Sequence, residues 1–125
     1  MPYVLIQLRS YRHGMTMSLD LVEQAAYRFA LLGDPTRLRI MNALMGCPEL
    51  SVGDIARVVS TSRFNASAHL NRLAAAGLLA RRRAGTTVYY RIADEQVVAL
   101  LEAGRAIVAR RLMEQQRILQ DLETS

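Results

Sequence analysis

Residues 61–92 read TSRFNASAHLNRLAAAGLLARRRAGTTVYYRI, and the change of rhythm inside them decides the fold. Up to Gly77, the apolar residues Ala66, Leu70, Leu73 and Ala74 recur at helical spacing. The opposite face carries Arg63, Phe64, Asn65, Ser67, Asn71 and Arg72, with no acid among them. Gly77 stands where a helix is usually terminated. Beyond it, LLARRR and TVYYRI flank AGT, which predicts a two-stranded hairpin with Gly85 at the tip.

Three helical signals precede this stretch. The first helix begins at Ser18 or Asp20, and Asp20 and Glu23 suit its positive end. Its apolar residues are Leu21, Val22, Ala25, Ala26, Phe29 and Leu32, and Gly33 ends it. Asp34-Pro35 then opens a second helix, an N-cap acid followed by proline at the first helical position. Leu38, Ile40, Met41, Leu44 and Met45 predict that this helix is strongly buried, and Gly46-Cys47-Pro48 breaks it. Ser51 to Asp54 has capping-box spacing, and Ile55, Ala56, Val58 and Val59 give a short third helix its apolar face. Residues 60–62, STS, form a three-residue turn into the fourth helix.

After the hairpin, Asp94 caps a long final helix. Val97, Val98, Leu100, Leu101, Ile107, Val108, Leu112, Leu119 and Leu122 fall along it at helical intervals. That is more apolar surface than one small domain covers with a terminal helix. Burial against a second subunit is expected, the alternative being packing on the chain's own first helix. The expected subunit contacts are Leu21, Val22 and Ala25 with Val97, Leu100, Leu101, Ile107, Val108, Leu112 and Leu119. Residues 1–14 show no clear period, and Met15 and Met17 stand just before the first helix, so residues 1–17 read either as an extra arm or as the product of an upstream start codon, ahead of one domain over 18–125.

Charge is unevenly distributed along the 125 residues. Between Asp54 and Asp94 there is no acid but seven arginines: Arg57, Arg63, Arg72, Arg81, Arg82, Arg83 and Arg91. The net charge of +5 therefore originates in this central third, the pattern of a phosphate-binding surface. An arginine bias of the whole chain, which has no lysine, is the competing explanation. No apolar run approaches the roughly 18 residues of a membrane span. The N-terminal YVLIQL lacks the flanks of a signal peptide, and a single cysteine excludes an internal disulfide, so a cytoplasmic protein is expected.

The element order predicts a mainly α fold with a β-hairpin wing, α-α-α-α-β-β-α, dimerising through its first and last helices. The short third helix, the turn and the fourth helix make a helix-turn-helix. In such a unit the second helix enters the major groove of DNA with its N-terminal residues at the base edges. Ser62, Arg63, Asn65, Ser67 and Asn71 are the candidates for base or phosphate contacts, and Phe64 for a thymine methyl. Arg81, Arg82, Arg83, Thr86 and Thr87 would bring the wing to the backbone or a narrow minor groove.

Three blocks, LLGDPTRLRIMNAL at 31–44, ELSVGDIA at 49–56 and SAHLNRLAAAGLLARRRAGTTVYYRI at 67–92, together resemble the ArsR/SmtB winged-helix repressors over roughly residues 19–112. The resemblance implies a homodimer on a pseudo-palindromic operator, released when an effector binds. Two positions depart from the family pattern. Ala68 stands where an arginine is usual, and Ala66 where a larger apolar residue is common. Operator preference should therefore differ, with Arg63 and Arg72 as candidates to compensate. His69 matches the family's structural histidine and is expected at a helix–helix contact.

The family's best-known sensor sites bind metals, and neither ligand set is present. Ser51 and Gly53 occupy the positions of the cysteine site in the third-helix motif. In the final-helix site Asp94 survives, but Gln96, Ile107 and Arg110 replace the other ligands. No metal and no cofactor is expected. Cys47 remains as the one candidate redox or electrophile sensor, and its pairing with His13 is poorly supported as a zinc site. The methionines read as packing. No phosphate loop, nucleophile elbow, H-E-x-x-H or Cys–His pair suggests an enzyme. The expected function is a dimeric DNA-binding transcriptional regulator, most simply an effector-released repressor. The alternative is a winged-helix interaction module whose basic face binds an acidic protein.

Overall fold

A computed structural model describes residues 18–124. The expectations for the arm over residues 1–17 and for His13 lie outside these residues. The elements are α1 (Leu19–Leu32), α2 (Pro35–Met45), β1 (Leu50–Ser51), α3 (Val52–Val58), α4 (Arg63–Ala75), β2 (Leu79–Ala84), β3 (Thr87–Ile92) and α5 (Glu95–Thr124).

Each helix start has a local chemical reason. Ser18, Asp34, Ser51 and Ser62 sit at the N-caps, and each side-chain oxygen accepts a backbone N–H three residues on. Asp94 does the same for α5, accepting from Gln96 and Val97. Such caps contribute about 1 kcal/mol each. The end of α4 is equally well defined. Gly77, at φ 78, lets Leu78 N–H reach the Leu73 carbonyl and its own N–H reach Ala74, a Schellman closure. At the hairpin tip Gly85 has φ 62, and Ala84 pairs with Thr87 across a two-residue loop. A positive φ at the first loop position is what a type II′ turn requires.

The sheet has three strands, not the two expected. β1 pairs antiparallel with β3, Leu50 opposite Tyr90 and Ser51 opposite Tyr89, giving the order β1-β3-β2. A two-residue strand carries no periodicity, so nothing in the pattern of residues 49–51 separates it from a loop.

The core lies between α2, α3, α4 and the sheet. Ile40, Met41, Ile55, Ala66, Leu70 and Leu73 are fully buried there, and Tyr90 covers them from β3. Leu38 of α2 and Val58 of α3 were expected to face inward and are exposed instead. Both lie on helices whose buried stripe is filled by neighbours one turn away. Phe29 on α1 is likewise exposed, while Leu31 and Leu32 anchor that helix. Val97 and Leu101, expected at a subunit contact, pack on the protomer's own core, because the first turns of α5 cross β3.

The rest of α5 extends away from this body. Ile107, Val108, Leu112 and Leu119 are each more than half exposed, as are Met113, Ile118 and Leu122. On α1, Leu21 and Val22 are exposed and Ala25 half-buried. Leu100 lies between, at 39% exposure.

Candidate nucleic-acid interface

The turn before α4 is tight enough to need Ser60 at φ 55, a left-handed conformation that α4's own cap, two residues later, immediately exploits. Ser62 accepts from Asn65 N–H at 3.0 Å, so its oxygen is already engaged by the helix. The Asn65 side chain donates to Thr61 Oγ1 at 2.7 Å, which holds the amide at the helix front. Phe64 projects at 87% exposure, and Ala68 and Arg72 are also exposed. Ser67 is half-buried. Arg63 folds back over α3, where its guanidinium lies at contact distance from Gly53, the space a Cβ there would meet.

Asn71 is turned toward the wing. Its Oδ1 accepts from the Tyr90 hydroxyl at 3.2 Å and from Arg81 Nη1 at 3.4 Å. This contact fixes the base of β2 against the second half of α4. Both donors demand the carbonyl oxygen, so the amide nitrogen of Asn71 is left to face outward.

The three wing arginines do not act together. Side chains alternate along a strand, so Arg81 and Arg83 share the face of Tyr90 while Arg82 points the other way. On that side Arg82 forks onto Glu49, Nη2 to Oε1 at 2.6 Å and Nε to Oε2 at 3.1 Å. Its guanidinium also stacks 4.7 Å from the centroid of Tyr89, its cross-strand partner. The hydrogen bond from Arg82, then the charges of Arg82 and Arg91, hold the Glu49 carboxyl below its ordinary range. Glu49 was not singled out from the sequence because it lies outside the acid-free stretch that it enters. Thr86 is exposed in the loop and Thr87 half-buried at the start of β3.

Arg57 is the second arginine neutralised, by Asp54 on its own helix. Five of the seven, Arg63, Arg72, Arg81, Arg83 and Arg91, have no carboxylate partner among the described residues. They leave α4 and the wing positive.

Two arginines from the preceding helices hold α4 in place. Arg37 Nε donates to His69 Nδ1 at 3.2 Å, while its Nη1 donates to the Leu31 carbonyl. His69 is therefore an acceptor at the α2–α4 contact, the structural role expected for it. Arg28 of α1 donates to the Ala76 carbonyl at the other end of α4. Arg37 belongs to the Asp34-Pro-Thr-Arg37 piece of the family resemblance, although its acceptors do not follow from the sequence; Arg28 carries no periodic or motif signal and did not emerge from it. The backbone N–H of Arg37 lowers the Asp34 carboxyl from its ordinary range, ahead of the charge of Arg37.

At the positions of the family's metal ligands, Ser51 and Asp94 serve as caps, Gly53 seats Arg63, and Arg110 lies 3.9 Å from Glu114. Among the described residues no three His, Cys, Asp or Glu side chains cluster as a metal site. Cys47 is exposed in the bend after α2. No described helix is long and apolar enough to cross a membrane.

Comparison with known proteins agrees with this geometry. A family described as a helix-turn-helix domain matches residues 32–82. The transcriptional repressor SmtB homolog of Synechocystis is 43% identical over 84 residues, 67% of this chain and 63% of the relative. The chain thus spans somewhat under two thirds of that relative's length. The uncharacterized HTH-type transcriptional regulator Rv0081 of Mycobacterium tuberculosis is 35% identical over 75% of this chain and 82% of its own. The homodimeric winged helix-turn-helix DNA-binding domain Mb0332 of Mycobacterium bovis superposes with a TM-score of 0.72 at 32% identity, covering 80% of this chain and 94% of that one.

Proposed function

This chain belongs to the ArsR/SmtB family of winged-helix transcriptional repressors, and from that premise we propose that it is a cytoplasmic, homodimeric regulator binding a pseudo-palindromic operator. It is not an enzyme: family and fold are those of DNA-binding regulators. The observation that carries the reading is the shared side of α4 and the wing. There the exposed front of α4 adjoins Arg81, which is tied to Asn71 of α4, and Arg83, and neither arginine has a carboxylate partner among the described residues.

In this reading α4 enters the major groove. Phe64, Asn65, Ser67 and Ala68 lie nearest the base edges, with Ser62, Arg63 and Arg72 toward phosphate. Arg81, Arg83, Thr86 and Thr87 carry the wing along the backbone. Two copies joined through α1 and the exposed stripe of α5 place two reading heads about one or two helical turns apart. An effector then lowers DNA affinity through a coupling energy on the order of 1–3 kcal/mol. It acts without the family's usual metal ligands, which Ser51, Gly53, Gln96, Ile107 and Arg110 replace.

A mobility-shift assay on the DNA upstream of the protein's own coding sequence, against random DNA of equal length, tests this reading. A specific complex that weakens steeply with salt is expected. Affinity independent of salt and sequence, alongside capture of an acidic protein, would replace it with an interaction module.

A further inference from the structure

The acid that claims Arg82 on the other face of the wing has a consequence for how selectively the wing binds. We infer that Glu49 is a specificity-determining residue, which withholds Arg82 from DNA phosphate and so lowers sequence-independent affinity. The inference rests on the DNA-binding reading above and deepens it.

Three observations bear on it. Both oxygens of Glu49 are engaged by the Arg82 fork, the bidentate geometry a phosphate would otherwise receive. The Tyr89 ring lies 4.7 Å from the same guanidinium, a second contact that favours the position facing Glu49. The pair lies at the surface, with 55% of the Arg82 side chain accessible, whereas Glu49 is the less exposed partner at 28%. Exchanging the carboxylate for a phosphate would gain one contact of similar kind. It would also leave Glu49 unpaired in the field of the duplex, next to Arg91 alone. The exchange therefore offers little net attraction.

Each phosphate neutralised by a protein cation steepens the dependence of log affinity on log salt by about 0.9. That term is blind to sequence, whereas base contacts are not. A wing that keeps one of its three arginines out of the phosphate count leaves a larger share of binding to the front of α4.

The test uses the full-length protein and two 30-base-pair duplexes, one of random sequence and one enriched by the wild type from a random library. Glu49→Gln keeps an acceptor for Arg82 but removes the charge that holds it. The variant is expected to bind the random duplex more tightly, with a salt slope steeper by about 0.9, or about threefold more affinity lost over a fourfold salt increase. Its preference for the enriched duplex should fall. Arg82→Gln should leave the wild-type slope unchanged, and the double variant should return to it. Weaker binding of Glu49→Gln to both duplexes would mean that the pair merely props the wing, and overturns the inference. So does a slope lowered by Arg82→Gln, since Arg82 would then already meet phosphate. If the wild type enriches no sequence and binds no duplex, the DNA reading itself falls, and this inference with it.

Discussion

Arg28 Nε–H, on α1, donates to the backbone carbonyl of Ala76 across 2.9 Å, joining the first helix to the end of α4. That carbonyl is among those a helix leaves without an internal partner, and it lies at the negative end of the helix dipole. Arg28 is itself staked to α1, since Nη1 donates to both the backbone and the side-chain oxygen of Gln24. The helix whose exposed Leu21 and Val22 are proposed to meet a second subunit is thus bonded directly to the helix proposed to read DNA.

Arg28→Ala is expected to lower stability by roughly 1–2 kcal/mol, the range for a hydrogen bond to a charged group discounted for partial exposure. DNA affinity should fall while the dimer constant stays near wild type. Thermal melting, sedimentation and DNA binding on one preparation check the three together. An unchanged DNA affinity would show that the contact does not orient α4.

Asn65→Ala should relax base preference at a single operator position and leave the others intact, because its amide is pinned at the front of α4 by Thr61. Arg83→Gln should instead weaken all sequences alike and reduce the salt slope by about 0.9. Selection from a random library, repeated with each variant, separates the two behaviours.

Acid should weaken both the wing's hold on Glu49 and the cap at Asp34. The Glu49 and Asp34 carboxyls are lowered in the folded protein. Their stabilisation is present above the ordinary carboxylate range and is lost as pH falls through the depressed folded values. Melting temperature should decline through that window, and Glu49→Gln should flatten part of the decline. Melting curves taken downward from neutral pH test this. An identical acid limb in the variant would remove Glu49 from the account.

Val108→Glu with Leu112→Glu should yield a folded monomer. Both side chains are more than half exposed, and the core does not depend on either. Sedimentation should show half the mass with unchanged helicity, and operator affinity should fall by orders of magnitude. By contrast, Leu70→Ala, which empties a fully buried site, should cost about 2–5 kcal/mol and reduce folded yield.

The helices were legible because each starts at a capping residue and stops at a breaker, as at Ser62 and Gly77. The hairpin was legible because its period differs from that of the helix before it. Direction within the core was less so. Leu38 and Val58 satisfy helical spacing but face solvent, and which residues of an apolar-rich helix turn inward depends on neighbours far away in the chain. For the candidate interface, the sequence identified the residue types and the helix that presents them. It could not divide Arg81, Arg82 and Arg83 between two faces, because the partner that claims Arg82 is 33 residues away. Arg28 was invisible for the same reason, its acceptor being a distant backbone carbonyl, and Arg37 was legible as part of a motif but its imidazole acceptor 32 residues away was not.

Ser51 belongs to two elements at once: it pairs with Tyr89 in the sheet and caps α3 through its hydroxyl. With no spare residue between ladder and helix, the wing lacks a hinge of its own. A displacement of α3 is therefore passed through Ser51 to β3, so the wing would follow the helix-turn-helix unless this two-residue ladder opened first.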